Sequence, residues 1–149
     1  MTAANHVVTG AILGAVIHQP LLALPLAFAS HFVLDSLPHF GGKELIENKR
    51  KFLSILGADV CIASLVLVGI VISQPNNWPL ILACAILAAS PDLMWFSHFM
   101  RDMRKIPKRP FNLVERFHSR IQWGERLWGW TIEIAWFVCM LPLFIKLAY

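Results

Sequence analysis

Apolar positions gather into long unbroken runs along this chain, and polar residues are largely confined to the gaps between them. Three runs stand out, Phe52–Ser73, Trp78–Met100 and Leu127–Tyr149, each near the ~20 residues that a transmembrane helix requires. Two shorter runs precede them, Val7–Ile17 and Leu21–Leu37, split at His18-Gln19-Pro20. The first is short for a full span. It is expected to accommodate the bilayer locally, to tilt into a hairpin with the second, or to extend back to Thr2, which would cap it. Gln74-Pro75-Asn76-Asn77 reads as a tight polar turn. The pattern predicts an all-α, polytopic integral membrane helical bundle of about five spans, forming one domain over residues 1–149.

Composition agrees with that reading. Hydrophobic residues make up 57% of the chain and charged residues 15%, with a mean hydropathy of +0.61. A soluble domain of 149 residues cannot hide that much apolar surface, whereas lipid solvates it. Six Trp and ten Phe suit helix ends and lipid-facing surfaces. No positively charged leader precedes the first run, so a cleaved secretory signal is not expected. Cys61, Cys84 and Cys139 all fall inside apolar runs without CxxC spacing, which predicts buried free thiols.

Charge sets the orientation. The 41–51 loop carries Lys43, Lys49, Arg50 and Lys51 against Glu44 and Glu47, and the 101–126 loop carries Arg101, Arg104, Lys105, Lys108, Arg109, Arg116, Arg120 and Arg126. The turns around Pro20 and Pro75 carry no Lys or Arg. By the positive-inside rule both basic loops are cytoplasmic, which puts the N-terminus inside and the C-terminus outside. Lys146 dissents, and it can snorkel. The net charge of +4 therefore orients a membrane protein and does not indicate nucleic-acid binding. Pro107 and Pro110 stop any helix continuing from the fourth run. Beyond them Phe111, Val114, Phe117 and Ile121 recur at helical spacing, with Glu115, Arg116 and Arg120 between. That spacing predicts an interfacial amphipathic helix within the basic loop.

The ionisable residues inside the apolar runs carry the chemistry, because such groups are costly in lipid and usually mark a site. They are His31, Asp35 and His39 on or just beyond the second run, Asp59 on the third, Asp92 and His98 on the fourth and Glu133 on the fifth, with His6 at the start of the first. At ~1.5 Å per residue, Asp59 lies about 12 Å above Lys51, Asp92 about 13 Å above Arg101 and Glu133 about 10 Å above Arg126. His6, His31, Asp35 and His39 also belong to inward ends. All of these except His98, which reads as structural near the interface, fall in the cytoplasmic half although they come from five runs. His18 falls at the opposite face.

His31-x-x-x-Asp35 places two ligating side chains one turn apart on one helical face, and His39 continues that line. Imidazole with carboxylate suits zinc, manganese or iron, and two carboxylates from other helices could complete a dinuclear site. Each residue also has a plainer role to be weighed. His31, Asp35 and His39 could form a hydrogen-bond network, and Asp59 and Asp92 could pair with loop arginines. Asp92 could organise a kink at Pro91, His6 could cap its helix, His118 could lie on a solvated face, and Glu133 could pair with Arg126. GxSxG, P-loop and HExxH motifs are absent. Gly10 and Gly14 form GxxxG, a helix-packing face.

The segments Met1–His6, His31–His39 and Ser90-Pro91-Asp92 together resemble the bacterial inner-membrane proteins called membrane-bound metal-dependent hydrolases. The resemblance covers the first forty residues well and the rest in outline. That family carries a His-Arg-Gly-x-Thr-His-Ser stretch, to which Arg116-Phe117-His118-Ser119 is similar without the first histidine. The HxxxD pair is also similar to zinc-dependent phospholipase C and related nucleases, which implies phosphoester hydrolysis at a zinc centre.

These readings converge on a metal-dependent hydrolase at the cytoplasmic leaflet that acts on a phosphoester of an anionic lipid or lipid phosphate. One or two divalent ions, zinc first and manganese or iron next, would be held by His6, His31, Asp35, His39, Asp59 and Asp92, with His118 closing the site. Glu133 would serve as general base, and Arg116 and Arg120 would hold the anionic head group. The rival class is a non-enzymatic ion-binding or transport subunit. A third is a scaffold whose basic helix binds a partner or anionic lipid.

Overall fold

The computed structural model describes residues 1–41, 48–107 and 109–149, so the charges of Lys43, Glu44, Glu47 and Lys108 lie outside the described residues. Among the described residues the fold is all-helical apart from one minimal strand pair. α1 (Ala3–Val16) and α2 (Pro20–Asp35) are short apolar helices. α3 (Lys49–Ser73) is long. α4 (Trp78–Ala89), a 3-10 turn at Ser90–Leu93 and α5 (Met94–Met103) make one rod from Trp78 to Met103. α6 (Leu113–Ile121) precedes α7 (Trp130–Ala148). Three helical stretches, Lys49–Ser73, Trp78–Met103 and Leu127–Ala148, are long and apolar enough to cross a membrane.

α1 is the hub, packed against α2, α3, α4 and α7. Its small residues make this possible. A Cβ on Gly10 would strike the Cys84 carbonyl oxygen and lie 2.7 Å from the Ala88 Cβ, and one on Gly14 would lie 2.7 Å from the Ile81 Cα. The GxxxG face therefore brings α1 against the backbone of α4. Val7, Val8, Ala11, Ile81 and Ala85 fill the contact.

α1 does extend back towards Thr2, but not through a threonine cap. The Thr2 side chain makes no capping hydrogen bond. Instead Asp59, from α3, accepts the first helical amides, Ala3 N–H at 2.8 Å and Ala4 N–H at 2.9 Å. A carboxylate there also complements the positive helix terminus.

The polarity of the molecule is inverted. His6, His31, Asp35, His39, Glu115, His118 and Glu133 are buried, whereas Leu65, Ile72, Leu113 and Val138 are exposed. The cysteines follow the same rule: Cys84 is buried as expected, but Cys61 and Cys139 are exposed, on the apolar outer side. α6 shows this in miniature. Its inward face carries Glu115 and His118, and Leu113, Val114 and Phe117 point outward. Asn112 and Glu115 start it with a reciprocal capping box. Beyond α6, His39–Phe40 (β1) pairs in parallel with Glu125–Arg126 (β2), too short a pairing for alternation to reveal.

Candidate metal centre

Four side chains from three parts of the chain converge. His31 and Asp35 come from the last turns of α2, Asp92 from the 3-10 turn and His118 from α6, with one ligand atom of each lying within 4.8 Å of the others. This group could hold a metal ion. Nε2 of His31 is 3.0 Å from Nε2 of His118, and Oδ2 of Asp35 is 2.8 Å from the latter and 3.3 Å from the former. Oδ1 of Asp92 is looser, 3.7 Å from His31 and 4.0 Å from His118. Ligands about 2.0–2.1 Å from a tetrahedral ion stand about 3.3 Å apart. The spacing and the donor set of two imidazoles and two carboxylates both fit.

The local sequence explains how His31 is aimed. Pro91 has no N–H, and a 3-10 stretch bonds i to i−3 rather than i to i−4. The Ala88 carbonyl is thus available, and Nδ1–H of His31 donates to it at 2.9 Å. That fixes the tautomer and leaves the Nε2 lone pair facing the group, as second-sphere carbonyls do for metal-bound histidines. Pro91 and Asp92 therefore both belong to the 3-10 turn and serve the cluster.

His118 is in the opposite state. The Trp95 indole N–H donates to its Nδ1 at 3.1 Å, so in the neutral ring the proton resides on Nε2. That proton is directed at Asp35 Oδ2 and His31 Nε2, the place where an ion would sit. For Nε2 to ligate, the proton must leave and the Trp95 donor is then opposed by any proton taken up at Nδ1. Trp95→Phe is therefore expected to tighten zinc binding about fivefold, the equivalent of one ~1 kcal/mol hydrogen bond. Competition titration with a chelating dye on the detergent-purified chain measures it, and weaker binding in the variant would contradict the assignment.

The remaining predicted ligands divide. His6 lies at the edge of the group, its ring stacked 4.1 Å from that of His31 and its Nε2 3.2 Å from Asp35 Oδ1, an oxygen that also meets the Met1 amino group. His39 is buried outside the group, with Nδ1–H donating to the Leu37 carbonyl at 2.8 Å. Burial, aided by the Met1 positive charge, holds its pKa below the usual histidine value. Asp59 caps α1 and stands outside the four. Glu133 also stands outside them, accepting the Thr2 amide at 3.2 Å and the Phe40 amide at 3.0 Å. Arg116 and Arg120 are exposed. Each is two residues from His118, about 200° around the helix, so both face away from the group.

Sequence reasoning missed Trp95 and Gln122, the latter reaching Asp35 Oδ2 at 3.5 Å. It also missed a second polar cluster beside the first. Glu115 accepts from Arg109, from the Asn112 amide at 2.8 Å and pairs with His98 at 3.0 Å. Burial opposes its ionisation, but these partners prevail and hold the carboxyl below its usual range. The cluster fixes α6 and so the position of His118. The spacing Glu115, His118, Gln122 on one helical face was the available signal.

No family model matches the chain, and no curated protein or solved structure matches it.

Proposed function

We propose that this chain is a five-span membrane protein of the bacterial inner membrane, N-terminus cytoplasmic, that hydrolyses a lipid phosphoester with a bound divalent metal, zinc first. The observation that carries the reading is the asymmetry of the four-residue group. His31, Asp35 and His118 have fully buried side chains, while that of Asp92 is 34% exposed. A catalytic metal site keeps one open side, in contrast to a closed structural one. Leu93, next to Asp92 in the chain, and Phe117, next to His118, are both exposed, apolar surface that suits a substrate arriving from lipid.

The two short helices fit a five-span arrangement. α1 is about 21 Å long and α2 about 24 Å, less than the ~30 Å of bilayer hydrocarbon. α1 is surrounded by other helices, so lipid need not match its length. The resemblance of His31–His39 and Arg116–Ser119 to membrane-bound metal-dependent hydrolases points the same way.

A metal held by His31, Asp35, Asp92 and His118 supplies Lewis acidity and a bound water of lowered pKa. The protein supplies the rest. Ala88 orients His31, and Gln122 holds Asp35. Asp92, the loosest and most open member, would border the side from which water reaches the ion. Arg116 and Arg120, on the outer side of α6, hold anionic head groups at the surface.

Elemental mass spectrometry of the detergent-purified chain, beside His31→Ala, followed by a screen of lipid phosphoesters, tests this. About one ion per chain, lost in the variant, with turnover of a phosphoester is the expected result. Bound metal without turnover of any phosphoester would favour the ion-binding or transport class. No metal after reconstitution would remove the hydrolase reading.

A further inference from the structure

A second polar centre, sharing no residue with the metal group, opens onto an apolar groove. Between α3 and α7 lies a cavity of about 280 Å³ whose head is Thr2, Asn5, Asp59 and Glu133 and whose walls include Ile55, Ile62 and Phe137. It shares Ile62 and Phe137 with a second cavity of about 730 Å³ that runs on to Ser73 and Tyr149. The two form one groove. From Asp59 to Ser73 it follows α3 for about 21 Å, longer than the ~15 Å hydrocarbon depth of a single leaflet.

The head of the groove accepts hydrogen bonds and offers few. Asn5 is buried and spends its amide nitrogen on Thr2 Oγ1 at 2.9 Å and the Glu133 carbonyl at 3.2 Å. Its Oδ1 is buried with no partner. A buried acceptor left unpaired is costly, so it calls for a donor. Asp59 holds the Ala3 and Ala4 amides, and Glu133 holds the Thr2 and Phe40 amides and the Thr2 side chain; among the described residues neither pairs with a basic side chain. Ionised carboxylates have acceptor capacity to spare.

We infer that this groove binds one membrane lipid whose head group ends in a primary ammonium, with an acyl chain lying between α3 and α7 and the ammonium donating to Asn5 Oδ1 beside Asp59 and Glu133. The head selects by chemistry. A trimethylammonium brings charge but no N–H, and an anionic glycerol head brings donors with the wrong sign of charge. A primary ammonium supplies both.

The test takes the full chain from vesicles of equal phosphatidylethanolamine and phosphatidylcholine and counts the lipids retained, by native mass spectrometry. Phosphatidylethanolamine should be retained about tenfold over phosphatidylcholine, as one hydrogen bond to a charged group implies. Asn5→Ala should erase the preference. Ile62→Trp, at a 41% exposed wall position that leaves the core intact, should erase retention of both lipids with an unchanged melting temperature. Equal retention of the two lipids, retention unmoved by Ile62→Trp, or a second copy of the chain seated on this face would each overturn the inference. None of these readouts depends on metal or hydrolysis, so the two proposals fail separately.

Discussion

Asp35→Ala should leave the four-residue group unable to hold a metal: the ion content of the purified variant is expected at background, and its stability should fall by about 3–5 kcal/mol. Asp35 is the one residue that every neighbour needs. Oδ2 faces His118 and His31, and Oδ1 faces His6 and the Met1 amino group. Removing the carboxylate leaves several donors buried without an acceptor, which is why folding suffers along with binding. Asp35→Asn separates the two, since it keeps the volume and a hydrogen-bonding oxygen while losing the charge that a cation requires. It should bind no metal yet recover much of the stability. Asp59→Ala is the informative contrast. It removes the cap of α1 and should cost about 1–2 kcal/mol, with metal content unchanged. Metal lost in Asp59→Ala at intact folding would return Asp59 to the ligand set and show the four-residue group to be incomplete.

That contrast marks where sequence reading stopped. Runs of apolar residues and loop charges expose the helical segments, and the rise per residue gives the height of each acid. Height alone brought His31, Asp35 and Asp92 to one level, and His118 joined them from the amphipathic segment. Height brought Asp59 and Glu133 there too, because it does not give the direction in which a side chain leaves its helix. Direction depends on which faces pack, and here it is fixed by the GxxxG contact of α1 with α4. The partners of the histidines were hidden for another reason. The Ala88 carbonyl becomes an acceptor for His31 through the 3-10 turn, and the Trp95 indole reads as one more aromatic in an aromatic-rich chain. Polarity inversion hid the parts that Glu115 and Gln122 play around His118. The apolar stripe of α6 was visible, yet in a chain with its apolar side outward the functional face is the other one, carrying Glu115, His118 and Gln122.

The same contact predicts that a residue with no side chain governs how well the group can hold a metal. Gly10→Leu should destabilise the chain by at least about 3 kcal/mol, the upper end for overpacking, and weaken zinc binding by about 10–100-fold. The route is short. The new side chain must displace Cys84 or Ala88, because the first carbon beyond the backbone already meets both. Ala88 carries the carbonyl that holds Nδ1 of His31 at 2.9 Å, so moving α4 releases the ring that anchors the group. Gly57→Leu serves as the control: it is also helical, and nothing lies within 4 Å of a Cβ there. It should leave the melting temperature and the zinc affinity as they are. Wild-type zinc affinity in a Gly10→Leu protein that is destabilised as expected would show that α1 packing and the His31 anchor are independent. The link from helix packing to metal chemistry would then have to be given up.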